Sequence, residues 1–502
     1  LAPLLLLPAL AGCMVGPGYH RAPVATPVAY KELAGWKPGH PLDAIDRGAW
    51  WSVYHDPLLD SLESRVAVSN QTLAEAYAAY RNAQAIVREA RANLFPVLDA
   101  TSSATRAAQG TAGRGISSGF SGANGGQGIS TTSYTLEGSA SWDLDVWGRV
   151  RRTVESDVAA AQASAADVAS AQLSAQGALA TDYFDLRASD ALEKLLSDTV
   201  AGYQRTLQIT QNQYDVGVAA RSDVLTAQVQ LESTQAQLIN VGVARAQYEH
   251  AIAVLTGQPP AALSIPAGEL AADVPIVPVS VPSALLERRP DVAAAERAMQ
   301  QQNALIGAAI AGYYPDISLS ALYGYVGNPL SSLISASNRV WSLGATGTET
   351  IFAGGARSAE VAAARATYDE AVATYRQTVL TAFQQVEDEL AALRILEREA
   401  EAQAVAVRDA RHAVDIALNE YRAGTQPYTT VVTAQDTALT DEQSALTVQQ
   451  NRLVASVALI QALGGGWDST RLPRADDLQR GIPLLPDALD PTSRPAGDPN
   501  RL

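Results

Sequence analysis

From Val150 to Tyr214 the chain carries no proline and little glycine, and alanine, glutamine, serine, leucine and aspartate dominate. Such a run reads as one α-helix of about 100 Å at ~1.5 Å per residue. A globular domain rarely holds a helix of that length. It stops at a sharp break, Asp215–Arg221, after which a second helical run continues to about Thr256. The same events then recur. A helical run from about Ala356 to Tyr421 breaks at Arg422–Tyr428 and resumes as far as "LIQALGGGW" (459–467), which resembles "AIAVLTG" (251–257). "YDVGVAARSDVLTAQ" (214–228) and "YRAGTQPYTTVVTAQ" (421–435) both open on Tyr, place Gly three residues later and close on Ala-Gln, at an offset of 207. The chain is an internal duplication, and a division by length alone would have cut it wrongly.

Each half also supplies strands. A helical pattern over 58–94 ends at Phe95-Pro96, and one over 291–312 ends at Tyr314-Pro315, since proline disfavours helix in the residue before it. Residues 97–107 read as a strand, and 108–131 as a Gly/Ser loop. "SYTLEGSASWDLDVW" (133–147) alternates almost strictly, with Tyr134, Leu136, Gly138, Ala140, Trp142, Leu144 and Val146 on one face and Ser133, Thr135, Glu137, Ser139, Ser141, Asp143 and Asp145 on the other. "DISLSALYGYV" (316–326) and "VWSLGATGTETIF" (340–352) alternate in the same way. Strands of about ten residues with one apolar face suit a tilted transmembrane β-barrel. Four strands cannot close a barrel, and open edges are not tolerated in lipid. If these strands span a membrane, several chains must share one barrel; three chains would give about twelve strands, in a closed cyclic ring. Trp142, Trp147, Trp341, Tyr134, Tyr323 and Tyr325 are candidates for interfacial aromatic girdles. The long helices are rich in Ala and Ser, which suits a hollow helical cylinder better than a solid two-stranded coiled coil.

The N-terminal "LAPLLLLPALAGC" reads as the apolar core and cleavage site of a secretory signal, too short to span a bilayer. Leu10-Ala11-Gly12-Cys13 matches a bacterial lipobox, so residues 1–12 are expected to be a signal remnant and Cys13 the lipid-bearing terminus. Cys13 is the only cysteine, which excludes an internal disulfide. Met14, not Asp, follows it, favouring the outer membrane. Acids outnumber bases 52 to 36, and no basic stripe suggests nucleic acid. The expected organisation is a lipidated extended segment (13–57), a first repeat (58–257), a Pro-rich linker (258–282), a second repeat (283–466) and a disordered tail (467–502).

These features together resemble the outer-membrane efflux lipoproteins of the TolC/OprM/NodT family. The resemblance runs from Cys13 to Trp467 and rests on the lipobox, "WDLDVWGRVRR" (142–152), the two break motifs, "LLERRPDVAAAE" (285–296), "YYPDISL" (313–319), "IFAGGARSAEV" (351–361) and "ALGGGW". It implies an α+β membrane protein: a homotrimer with a shared 12-stranded barrel, four strands per chain, continuous with a long periplasmic α-barrel. It implies a periplasmic adaptor and an inner-membrane pump of the resistance-nodulation-division type as partners, with outer-membrane lipid around the barrel and no cofactor. The helix breaks become hairpin tips at the periplasmic mouth, where Val216, Gly217, Val218, Ala423, Gly424 and Thr425 match adaptor-contact positions. Tyr421 and Asp223 match positions that form a link between hairpins in the closed mouth. Where the family often carries rings of Asp, this chain has Thr430 and Thr433, and Gln426 stands at a matching Arg position. Asp436 is an alternative source of a charged ring.

Rival readings are weaker. Five histidines, His20, His40, His55, His250 and His412, form no metal-ligand spacing, and no nucleophile elbow or phosphate loop is present, so an enzyme is not expected. A structural periplasmic coiled-coil lipoprotein leaves the four strands unexplained. A duct for type I protein secretion remains an alternative within transport.

Overall fold

The computed structural model describes residues 14–32, 49–109, 129–275, 277 and 286–479. Cys13 and the signal-like residues before it lie outside the described residues. The helices are α1 (Pro57–Ser69), α2 (Gln71–Ala92), α3 (Arg149–Asp215), α4 (Arg221–Leu255), α5 (Pro290–Ala311), α6 (Ala356–Arg422), α7 (Tyr428–Ala462) and a short α8 (Ala475–Leu478); the strands are β1 (Val97–Gln109), β2 (Ile129–Leu144), β3 (Asp316–Gly327) and β4 (Arg339–Thr348). The long helices α3 and α6 each run 67 residues. No described helix is both long and apolar enough to cross a membrane.

The expected single helix over 58–94 is two helices. Asn70 breaks it because its side chain takes two bonds that a continuing helix would not provide. Its carbonyl oxygen accepts from Leu73 N at 2.9 Å and caps α2, and its amide donates to Leu255 O at 2.9 Å, at the end of α4. In the second half Arg289 stands just before α5 and donates to Ala462 O at 3.1 Å, at the end of α7. Leu255 and Ala462 are themselves 207 residues apart. The two repeats thus tie the same joint with different side chains.

The four strands form one antiparallel sheet in the order β1-β2-β3-β4. The central pair, β2 with β3, joins the two repeats, from Tyr134 opposite Gly327 to Leu144 opposite Ile317. Register sorts the faces. Trp142, Leu319 and Ala345 lie in one row, and Ala140, Ala321 and Leu343 in another; between them, Ser141, Ser320 and Gly344 point to the opposite side. On the apolar face Leu98, Trp341 and Leu343 are 77%, 65% and 76% exposed, a large unpartnered surface. β4 is shorter than the expected 340–352. It ends at Thr348, after which Glu349 pairs with Arg357 at 2.7 Å and the chain turns into α6.

Aromatic side chains fasten sheet to helices. Trp142 Nε1 donates to Leu94 O at 3.1 Å and Trp147 Nε1 to Pro315 O at 2.9 Å. Trp147 also stacks on Tyr314, with ring centroids 4.8 Å apart. Farther along the helices lies the main core, where Trp50, Leu59, Leu62, Tyr183, Phe184, Tyr375, Val379 and Leu459 pack together. The extended segment 14–32 is laid along this body: Arg21 Nε donates to the Tyr375 hydroxyl at 3.0 Å, and the amides of Lys31 and Glu32 donate to the Glu387 carboxylate at 2.7 and 2.9 Å. The tail expected to be disordered is ordered from Trp467 to Gln479. Gln162 donates to Pro473 O at 2.9 Å, and Leu478 is buried against Val87 and Val158, because that apolar groove on α2 and α3 would otherwise be open.

Glu63 on α1 is fully buried, and neither carboxyl oxygen has a hydrogen-bond partner among the described residues. Burial pushes its pKa up to about 9. The folded chain therefore holds a proton there that the unfolded chain releases near pH 4–5. Linkage makes stability fall as pH rises from the unfolded value toward 9. Glu63→Gln is expected to flatten that dependence and to raise the Tm by several degrees at pH 8 and little at pH 4, as read by thermal unfolding across pH.

Candidate docking tips and pore gate

α3 and α4 form one antiparallel hairpin, α6 and α7 the other, and α3 also packs along α7. Both hairpins turn at the end remote from the sheet. At the first tip Gly217 N donates to Tyr214 O at 2.9 Å and Val218 N to Gln213 O at 2.8 Å. At the second, Gly424 N donates to Tyr421 O at 2.9 Å and Thr425 N to Glu420 O at 3.0 Å. Each is a Schellman motif, which satisfies the last helical carbonyls and requires a left-handed residue at its pivot. Gly217 and Gly424 fill that position with φ of +82° and +74°. The shared Tyr-x-x-Gly pattern is thus the local code for a helix stop. Space is not the constraint, because a Cβ on either glycine would meet nothing within 4 Å.

The flanking residues differ in character. Val216 and Val218 are 75% and 71% exposed, and Ala423 and Thr425 are exposed as well. Just inside the tips, Tyr421 and Tyr428 pack with rings 5.2 Å apart in a small buried cluster with Ala227, Ala417 and Val431. Tyr421 is buried and Asp223 lies close enough for its charge to act, yet no hydrogen bond joins the two within the chain. Burial raises the Tyr421 pKa; nearby Thr210 opposes the rise and Asp223 adds to it. The Thr210 hydroxyl is itself committed to Thr206 O at 3.0 Å.

Thr430 and Thr433 are exposed, and the Thr433 hydroxyl turns back onto Thr429 O at 3.0 Å. Asp436 is engaged: its Oδ1 accepts from Gln230 Nε2 at 2.9 Å, linking α7 to α4. Sequence reasoning missed Gln230. It also missed a polar layer at this level, where Tyr203 Oη, Gln230 Oε1, Tyr421 Oη and Gln435 Oε1 are buried without a partner among the described residues. Of the two glutamines that close the break motifs, Gln435 is buried but Gln228 is exposed, and the buried amide on α4 is Gln230, two residues beyond the motif, so the repeat pattern did not point to it.

A sheet with an apolar outer face, set on long helical hairpins that end in open turns, defines a membrane duct with a remote mouth. Comparison with known proteins agrees with that class. The model of the outer membrane efflux protein family matches residues 62–258 and 281–465, once per repeat. The chain is 31% identical over 462 residues to the probable efflux pump outer membrane protein TtgC and to the antibiotic efflux pump outer membrane protein ArpC, both of Pseudomonas putida, covering 91% of this chain and 93% of each relative. Among solved structures the outer-membrane channel OprN superposes with a TM-score of 0.83 at 28% identity, covering 91% of this chain and all of that one. The protein belongs to the outer membrane efflux protein family. It is the outer-membrane channel of a tripartite efflux pump, with the fold of one protomer of the trimeric channels, and it is not an enzyme.

Two outcomes check the tip geometry. Gly217→Ala and Gly424→Ala should each cost about 1 kcal/mol, the penalty of a left-handed Ala, without a steric clash; thermal melting of the purified protein reads this. A double-mutant cycle with Gln230→Ala and Asp436→Ala should return a coupling of about 1 kcal/mol or more, as for a hydrogen bond to a charged group.

Proposed function

We propose that this channel works as a lipid-anchored homotrimer that receives drugs or other small solutes from a resistance-nodulation-division pump through a periplasmic adaptor docked on its tips. Family membership implies the adaptor and the pump. The observation that carries the docking assignment is the pair of open glycine turns, with exposed Val216 and Val218 on one and Ala423 and Thr425 on the other. The exposed valines offer apolar area to a partner's helix ends.

Trimerisation covers what one chain leaves open. β1 and β4 are free sheet edges, and apolar side chains are exposed along both hairpins: Leu225, Val229, Ile239 and Val243 on α4, and Leu380, Ile395, Val405 and Ile416 on α6. Within the chain α3 lies between α4 and α7, so α4 and α6 are the faces that neighbouring copies would cover. The gate is assigned to Tyr421, Asp223, Thr430, Thr433 and Asp436, with the unpartnered polar layer beside them finding partners across copies as the mouth opens or closes.

Cys13 is assigned as the anchor. The residues after it are held at the base of the sheet: Val15 N donates to Trp147 O at 3.2 Å, and Arg152 donates to Val15 O at 3.0 Å and Gly16 O at 3.2 Å. That site is level with the junction of strands and helices, where a membrane surface would lie.

Deletion of the gene should sensitise cells to several drugs, and wild type should restore resistance. Val216→Asp combined with Val218→Asp should leave the trimer in the outer membrane yet fail to restore resistance. Unchanged susceptibility on deletion, with loss of an exported protein instead, would move the channel to type I secretion. Cys13→Ala should abolish incorporation of labelled palmitate; persistent labelling would show that the anchor is elsewhere.

A further inference from the structure

The sheet register partitions charge between its two faces. Asp99, opposite Ser139, shares the polar face with Glu137, opposite Gly324, with Asp143, opposite Ser318, and with Asp316, opposite Thr348. Every acid of the four strands therefore lies on the polar side. The two arginines of the strands lie on the other. Arg106 pairs with Thr132, in the alternation that contains Leu98 and Ala100. Arg339 pairs with Tyr325, in the alternation that contains Trp341 and Leu343.

Both arginines sit at the same end of the sheet. β1 rises from α2 and β3 from α5, so Gln109, Ile129, Gly327 and Arg339 mark the end away from the helices. Arg339 is the first residue of β4, and Arg106 is three residues from the end of β1. The apolar face from Ile317 to Tyr325 spans about 27 Å along the strand at ~3.3 Å per residue, or roughly 20 Å in height at a tilt near 40°. That is close to the full apolar band of an outer-membrane barrel, so Arg339 stands at its outer edge. Tyr323 and Tyr325 pack edge to face at 6.1 Å beside it, and Tyr323 lies opposite Trp341. Neither arginine has a hydrogen bond or ion pair among the described residues, and both are exposed. A cation on a lipid-facing surface is tolerated only near the headgroups, and two such cations without a partner mark a place where the surroundings supply the anion.

We propose that Arg106 and Arg339 form a binding site for the phosphate groups of the outer-leaflet glycolipid, lipid A. Barrel closure sets β4 of one copy beside β1 of the next, since these are the two free edges. The Arg339 of one protomer and the Arg106 of its neighbour then lie on adjacent strands of the same face. Each junction between copies presents two guanidinium groups, which bind phosphate oxygens in a forked geometry. Tyr323, Tyr325 and Trp341 seat the sugar and upper acyl region beside them. The aliphatic row below, Ala321 with Leu343, meets the acyl chains.

This inference rests on the outer-membrane placement of the barrel but not on the tips. The test is native mass spectrometry of the full trimer in mild detergent, titrated with lipid A, dephosphorylated lipid A or phosphatidylglycerol. Wild type should bind lipid A in preference to both others. The double variant Arg106→Gln/Arg339→Gln should bind it at least tenfold more weakly, and Arg106→Lys/Arg339→Lys, which keeps the charge, should retain most of the binding. Trimer mass in the same spectrum verifies assembly; if the double variant does not assemble, the Arg339→Gln single variant, expected to lose several-fold, replaces it. Undiminished lipid A binding by the Gln variant overturns the proposal, as does equal binding of phosphatidylglycerol by wild type. The Gln variant should still restore drug resistance in the deletion strain, so failure of the lipid site and failure of the efflux reading are separately visible.

Discussion

A four-stranded sheet has two free edges, and hydrocarbon offers no hydrogen-bond partner for either. The rest of the molecule depends on that constraint. β1 and β4 end the sheet, and among the described residues no other segment pairs with them, since the helices lie beyond the sheet's inner end. Only further copies can close the ring. The count then carries into the helices, since each chain contributes four strands and four long helical segments, α3, α4, α6 and α7. One closure serves both barrels. This explains why a helical body can leave apolar side chains such as Ile239 and Ile395 exposed in the single chain without being a poor fold.

Duplication gives this plan its economy, and divergence gives it function. The two repeats meet in one sheet through β2 and β3, so neither half is a domain in its own right. Asn70 and Arg289 secure equivalent joints by different chemistry, a neutral amide in one and a guanidinium in the other. Arg289 also reaches Asp291 and Gln385, which draws α5 and α6 together at the same point. At the tips the pivot is the same glycine geometry, but the flanking residues differ, with valines on one turn and Ala and Thr on the other. An identical backbone motif thus presents two different surfaces to whatever meets it.

Proteins seldom bury polar atoms without partners, yet among the described residues Tyr203, Gln230, Tyr421 and Gln435 each carry one toward the tips, as Glu63 does in α1. The hydroxyls of Thr433, Thr437, Thr440, Ser444 and Thr447 avoid this by returning to carbonyls four residues back on their own helix. α7 therefore carries a run of satisfied hydroxyls beside Gln435, whose Oε1 is buried without a partner among the described residues.

Much of this was legible in the residue order, because it depends on periodicity and local stereochemistry. Proline-free runs and alternating stretches marked the long helices and the strands. The recurring Tyr-x-x-Gly marked the tips, since a helix stop with a left-handed pivot is a local event. The break at Asn70 was hidden, because the bond that completes it goes to Leu255, 185 residues away. The partner of Asp436 was hidden for the same reason: Gln230 lies on another helix, and helical periodicity does not say which faces meet. The sequence by itself determined the element types, the duplication and the need for more than one chain, all consequences of hydrophobic period and of backbone groups that must be satisfied. Only the tertiary structure decided the register that sends acids to one face and arginines to the other, the side chains that bridge the hairpins, and the seating of the segment after Cys13, because each is a contact between residues far apart in the chain.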